Sequence, residues 1–265
     1  MPEPVTAAGR AGLAALINTP RTALVALDFD GTLAPIVPRP EDARPLPTTL
    51  AVLRTLGARF GQVAIVTGRP VEWLVDEAGL GEVPGLIIDG QYGAQHWEDG
   101  QLREAEPAPG LAAVREQLPA LVEGRQARIE DKRLSIVVHT RGADHPEAEL
   151  AALAAPVRAL ADRHGLVAHP GRNVVEIRPP EFDKGSALSA LVEQYDPATV
   201  VFIGDDVGDL AAFDVVDSLR AQGRHGLTVC SASSEVTQVA GRADLVVDGP
   251  PGVLELLTAL GREVG

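Results

Sequence analysis

The sequence predicts an α/β fold: a core built on a parallel sheet, interrupted by a smaller inserted α/β domain. Two observations carry this. Short apolar runs alternate with helix-patterned stretches up to residue 89 and again from about 183, the pattern of strand–helix–strand units. Between them, residues 106–180 follow a different order, a helix and then two strands, twice over (α-β-β-α-β-β). The expected division is a core of residues 1–105 and 181–265 around an insert of 106–180.

The first strand, about 22–28, contains Leu24-Val25-Ala26-Leu27 and runs into Asp28-Phe29-Asp30-Gly31-Thr32. The stretch Pro35 to Pro47 reads as a surface loop without identifiable chemistry. A helix near 47–59, a strand at 62–67, a helix near 70–78 and a strand at 85–89 complete the first half. In the insert, Leu111, Val114, Leu118 and Leu121 recur at helical spacing, as do Leu150, Leu153, Val157 and Leu160, despite a proline in each helix. Strands are expected at 126–131, 133–140, 166–170 and 173–178, with Pro170-Gly171 marking a tight turn. Alternation sends Leu134, Ile136, Val138, Val175 and Ile177 under the helices and Glu176, Arg178 and Glu130 to the opposite face. That polar face is either simply hydrated or closes over the main site and reads the substrate. The second half continues with a helix over 183–194, the strand Thr199–Gly204, a helix near 207–220, short strands around 227–230 and 244–247, and a helix over 251–261.

Composition narrows the function. A formal charge of −14 argues against nucleic acid as a partner, because backbone phosphates are repelled on average. A small phosphate ester remains compatible, since charges more than about 8 Å apart are screened at physiological salt and local groups decide. The single cysteine, Cys230, excludes an internal disulfide. No stretch approaches the roughly 20 apolar residues of a membrane helix, and residues 1–20 lack a basic start and a signal-like apolar core. A cytoplasmic protein is expected, with a monomer favoured over an oligomer. Of the 23 basic residues only Lys132 and Lys184 are lysines. Both fall beside candidate site residues, where a compact ammonium differs from a planar guanidinium.

Chemistry gathers beyond the carboxyl ends of strands in open α/β sheets. Asp28 and Asp30 stand at one such end. They are either turn residues or a nucleophile and an acid/base pair able to hold a divalent cation. Thr67 ends the second strand and suits a phosphoryl contact or a helix N-cap before Pro70. Lys184 follows Asp183 at a helix start, where a cation is disfavoured unless an anion binds there too. Gly204-Asp205-Asp206-Val207-Gly208-Asp209 ends the strand Thr199–Gly204, and hard carboxylates of this kind suit Mg²⁺. Asp205 is the expected ligand, with Asp206 and Asp209 orienting it or its waters.

In this order the four motifs resemble those of the haloacid-dehalogenase-like phosphatases. The position of the insert is similar to the sugar-phosphate phosphatases of that superfamily with an α/β cap, and the likeness is greatest to trehalose-6-phosphate phosphatases. It is carried by Asp28 to Ile36, Thr67-Gly68-Arg69, Gln91 to His96, Glu130-Asp131-Lys132, His139-Thr140-Arg141, and Gly171 to Pro179 running into Asp183-Lys184-Gly185. The resemblance implies a Rossmann-like core with a cap. It implies an aspartyl-phosphate on Asp28 with Asp30 as acid/base, and phosphate contacts from Thr67, Gly68 and Lys184. Mg²⁺ is then held by Asp28, Asp30 and Asp205, and a sugar site is lined by Arg69, Tyr92, His96, Glu130, Lys132, Arg141 and Glu176. The implied substrate is trehalose 6-phosphate. Sucrose 6-phosphate, mannosyl-3-phosphoglycerate and an inactive sugar-phosphate-binding regulatory module stand as alternatives. The chain departs from the family pattern at Gly208 and Leu210, where threonine and glutamate are usual, and at Trp97, where glycine is usual.

Overall fold

A computed structural model describes residues 1–171, 173–232 and 237–264. The chain forms two compact units, Met1–Arg103 with Asp183–Gly265, and Glu104–Phe182.

The first unit begins with α1 (Ala7–Asn18), β1 (Ala23–Leu27), α2 (Thr49–Gly57), β2 (Gln62–Val66), α3 (Val71–Asp76), β3 (Leu86–Gly90), β4 (Gln95–Glu98) and β5 (Gln101–Glu104). The second unit contains α4 (Pro109–Val122), β6 (Arg128–Asp131), β7 (Ile136–His139), α5 (Pro146–Arg163), β8 (Val167–Gly171) and β9 (Val174–Arg178). The first unit then resumes with α6 (Lys184–Tyr195), β10 (Thr199–Gly204), α7 (Leu210–Ala221), β11 (His225–Ser231), α8 (Thr237–Ala240), β12 (Leu245–Val247) and α9 (Gly249–Glu263). Among the described residues no helix is long and apolar enough to cross a membrane.

The large sheet runs β12-β11-β10-β1-β2-β3-β4-β5. Its first six strands are mutually parallel and β4 is antiparallel to β3. Strand order reverses at β1, from which the chain proceeds to β2 on one side and returns as β10 on the other, so the carboxyl end of β1 is a switch point of the sheet. The strands read as unbroken apolar runs because helices cover both faces. Val25 and Leu27 join one core cluster with Leu53, Leu74 and Leu256. Leu24 and Ala26 join the other with Leu188, Phe202 and Phe213.

The second unit has a four-stranded antiparallel sheet, β6-β7-β9-β8. Ile136, Val138, Val175 and Ile177 pack with Leu111, Val114, Leu153 and Val157 of its helices. Register aligns Glu130 with Val137 and Val137 with Glu176, so these three share the face away from that core.

Several local expectations need correction. The turn expected at Pro170-Gly171 comes later: both residues lie in β8, and Asn173 has φ 56°. β8 is an edge strand, where proline without its N–H is tolerated. Helix α3 starts at Val71 with Pro70 as N-cap, so Thr67 does not cap it. The helix expected from 207 is a 3₁₀ turn, Val207–Asp209, followed by α7, because Asp206 and Asp209 bond each other's backbone in a capping box.

Candidate active site

Leu27 pairs with Ile203 of β10 and Ile65 of β2. Asp28, Asp205 and Thr67 therefore stand just past the carboxyl ends of three adjacent parallel strands. The Asp28 N–H donates to Ile203 O at 2.8 Å, which extends the ladder to the carboxylate. Gly31 follows with φ +81°, and a Cβ there would overlap the Asp205 carboxylate. The close approach of these two loops needs glycine on both counts. Ser231, at the end of β11, donates to Gly31 O at 2.6 Å and braces the same turn.

Lys184 opens α6 behind its N-cap Asp183, whose carboxylate accepts the Ser186 N–H at 2.7 Å. Its ammonium is buried, 2.6 Å from Asp209 Oδ1, 2.8 Å from Asp28 Oδ1 and 3.8 Å from Asp206 Oδ1. Burial disfavours that charge, but Asp209, Asp28 and Asp206 more than reverse the effect and hold its pKa well above the usual lysine range. Asp209 is fully buried. Besides Lys184 it accepts the N–H groups of Asp205 and Asp206 at 2.9 and 3.0 Å, so it shapes the loop.

Ligand atoms of Asp28, Asp205 and Asp209 lie within 4.8 Å of one another. Burial, against the pull of Lys184, and the neighbouring carboxylates push Asp28 well above the ordinary carboxylate range. Burial and then Asp209 raise Asp205 to about 8, and burial also raises Asp209, to about 6. Asp205 Oδ1 is buried without a hydrogen-bond donor among the described residues. Among the described residues one ammonium faces three buried carboxylates, and the raised pKa values register the cost of ionising all three in low dielectric. Their hard oxygen donors fit a divalent cation.

Asp30 is placed differently from Asp28. Its carboxylate is a third exposed and receives Arg69 Nε at 2.6 Å and Nη2 at 2.7 Å, so its side chain stands apart from the three-carboxylate group. The Thr67 hydroxyl accepts the Arg69 N–H at 3.3 Å. Tyr92 and Gln91 have φ 60° and 45° and bond the backbone of Thr67 and Arg69, each at 2.9 Å. Gly68 lets Tyr92 lie close, since a Cβ there would sit 2.5 Å from its Oη. His96 faces two carboxylates of its own unit, with Nδ1 2.7 Å from Asp89 Oδ1 and Nε2 3.6 Å from Glu98 Oε2. Trp97 packs on the main core cluster and Leu210 on the second.

In the second unit, Glu130 is bound by His139 Nε2 at 2.6 Å, which lowers its pKa. Glu176 is buried and receives Ser135 Oγ at 2.7 Å and Lys132 Nζ at 3.3 Å on one oxygen. Arg141 is half-buried just beyond β7. Arg172, in the quoted motif, lies outside the described residues.

Sequence reasoning missed the support for Arg69. Its Cζ lies 4.0 Å from the Trp73 ring centroid and 5.4 Å from that of Phe29, and the two rings meet edge-on at 5.7 Å. Arg44, from the stretch read as chemically silent, lies 5.5 Å over Trp73. A signal was present in the rarity of tryptophan, with two in the chain, and in Phe29 standing between the two aspartates.

Residues 26–251 match the family model of trehalose-phosphatase. The chain is 32% identical over 260 residues to a trehalose-phosphate phosphatase of Mycobacterium marinum, covering 94% of this chain and 63% of that protein. The chain thus spans about three-fifths of the length of the curated relatives it matches first. The solved trehalose-6-phosphate phosphatase of Aspergillus fumigatus superposes with TM-score 0.68 at 25% identity, covering 98% of this chain and 99% of that one. The C-terminal domain of a C. albicans trehalose-6-phosphate phosphatase has the same fold, with TM-score 0.81 at 20% identity and 98% of each chain covered. With a family model matched across the core motifs and the insert alike, the chain belongs to the trehalose-phosphatase family.

Proposed function

We propose that this protein is a Mg²⁺-dependent phosphomonoester hydrolase that converts trehalose 6-phosphate to trehalose and phosphate. The observation that carries the reading is the buried group of Asp28, Lys184, Asp205 and Asp209 at the sheet's switch point, in a chain of this family.

Asp28 Oδ attacks phosphorus, and the bond from phosphorus to the sugar oxygen breaks as the aspartyl-phosphate forms. Asp30 protonates the departing sugar oxygen, then takes a proton from the water that attacks the aspartyl-phosphate, releasing phosphate and restoring Asp28. Lys184, with Thr67 and the backbone at Gly68, neutralises and orients the phosphoryl oxygens. Asp28 and Asp205 would hold the cation; Asp209 orients Asp205 by accepting its N–H. When bound, Mg²⁺ supplies charge neutralisation at the phosphoryl group and offsets the excess of buried carboxylates. Asp30 is not counted among the side-chain ligands, because Arg69 engages both its oxygens.

The second unit is proposed as a cap, with residues 106–180 as its extent. Glu130, Lys132, Arg141 and Glu176 are its proposed sugar contacts, and Tyr92 and His96 are those proposed in the first unit. A cytoplasmic location fits a substrate of this kind.

Released phosphate is measured with Mg²⁺ and a panel of trehalose 6-phosphate, sucrose 6-phosphate, glucose 6-phosphate and mannosyl-3-phosphoglycerate, with Asp28→Asn as control. Preference for trehalose 6-phosphate, abolished in the variant, is expected. Preference for another ester overturns the substrate, and full activity of Asp28→Asn overturns the mechanism.

A further inference from the structure

The carboxylate proposed to move protons is held fast. Both oxygens of Asp30 accept from the Arg69 guanidinium, at 2.6 and 2.7 Å. The guanidinium is in turn set over Trp73 at 4.0 Å and over Phe29 at 5.4 Å. Phe29 is the chain neighbour of Asp28 and Asp30, and Trp73 comes from α3. Arg69 is two residues beyond Thr67 and its side chain is largely buried. Such a two-pronged, charge-assisted contact is among the stronger polar interactions a side chain makes. While it persists, one lone pair of each Asp30 oxygen is engaged by Arg69 and the carboxylate is held in a single orientation.

A tetrahedral phosphate offers a guanidinium fork the same pair of oxygens that a carboxylate does. We infer that Arg69 is an exchangeable clamp, holding Asp30 in the free protein and passing to the phosphoryl oxygens of a bound phosphate ester, which releases Asp30 for proton transfer. This rests on the reading of Asp30 as acid/base given above. The guanidinium has two hydrogen bonds at both ends of the exchange, to Asp30 before it and to the phosphoryl group after it. The aromatic shelf gives the Arg69 side chain a defined resting position. Coupling follows directly: a phosphoryl group that differs in its affinity for the two arrangements shifts the population between them. In this scheme Arg69 touches the phosphoryl group and, by leaving Asp30, also sets when that carboxylate is free.

Two measurements test the exchange. The first is a crystal structure of the wild-type protein with Mg²⁺ and tungstate, a phosphate analogue. The clamp predicts the Arg69 fork on tungstate oxygens and Asp30 released; Arg69 still paired to Asp30 beside bound tungstate overturns it. The second uses the Trp97→Phe variant, in which Trp73 is the remaining tryptophan. Titration with inorganic phosphate in the presence of Mg²⁺ is expected to change Trp73 emission with the midpoint found calorimetrically, and the change disappears when Arg69→Met is added. Calorimetric binding without a Trp73 response overturns the clamp while leaving the proposed function intact. If neither anion binds and Asp28→Asn leaves turnover unchanged, the catalytic reading falls and the clamp falls with it.

Discussion

Asp205 and His96 show how burial in one case and a hydrogen bond in the other turn single residues into measurable switches. With Asp205 Oδ1 buried and lacking a donor among the described residues, and its pKa pushed up to about 8 by burial and then by Asp209, a bound cation would stabilise the native state by mass action. At a Mg²⁺ concentration of 100 Kd this amounts to about 2.7 kcal/mol. Wild-type thermal midpoint is expected to rise with Mg²⁺ and fall back with a chelator, and Asp205→Asn is expected to lose most of that response; an equal shift in both proteins contradicts the metal assignment. His96 lies between Asp89 and Glu98, and its hydrogen bond to Asp89 raises its pKa above 6.5 despite the opposing effect of burial. A raised histidine contributes stability that is fully present below its unfolded pKa and is lost as pH rises through the folded value. The destabilisation of His96→Gln relative to wild type should therefore be larger at pH 6 than at pH 9 in denaturant unfolding; a deficit that grows with pH contradicts this. Asp28 and Asp205 were legible as candidates because each follows an apolar run that ends abruptly. The pairing of Asp30 with Arg69, and the stack of Arg69 on Trp73, join side chains that only the folded loops bring together.

Elements with strong apolar runs were legible, including the six parallel strands and the four strands of the second unit. Four were not anticipated, one of them the four-residue helix α8. Helix α1 docks through Leu16, with Leu13 and Ile17 beside it, and through close approach: a Cβ on Gly12 would overlap Gly226 O, and Thr6 and Arg220 both bond the buried Asp244. β4 and β5 are four residues each and rich in Gln, His and Glu, so they give little apolar alternation. Helices α4 and α5 run through Pro119 and Pro156, although proline lacks the N–H that would bond the carbonyl four residues earlier. Packing of Leu153, Val157 and Leu160 into the core of the second unit overrides that defect. Pro156→Ala restores a donor to Ala152 O and is expected to stabilise the protein by up to about 3 kcal/mol in thermal or urea unfolding; a loss of stability would mean that the packing requires Pro156 itself.

At the scale of the whole molecule, the net charge of −14 excludes little about small anionic substrates once the site is considered. Buried Lys184 and a cation held by Asp28 and Asp205 would govern the local field, while exposed acidic groups are screened by salt. Lys184→Met removes the one ammonium facing Asp28 and Asp209 and leaves those carboxylates uncompensated, so a loss of about 3–5 kcal/mol is expected in metal-free protein. Mg²⁺ recovers part of it in denaturant unfolding, and a variant as stable as wild type without metal contradicts the charge balance drawn here. The central claim is that Asp28 becomes phosphorylated by trehalose 6-phosphate. Its most direct test is borohydride trapping during turnover, with peptide mass mapping of the quenched protein. An acyl phosphate at Asp28 is reduced to homoserine, and that conversion at position 28, dependent on trehalose 6-phosphate, is the predicted result; phosphate release with Asp28 unmodified and another residue converted would contradict it.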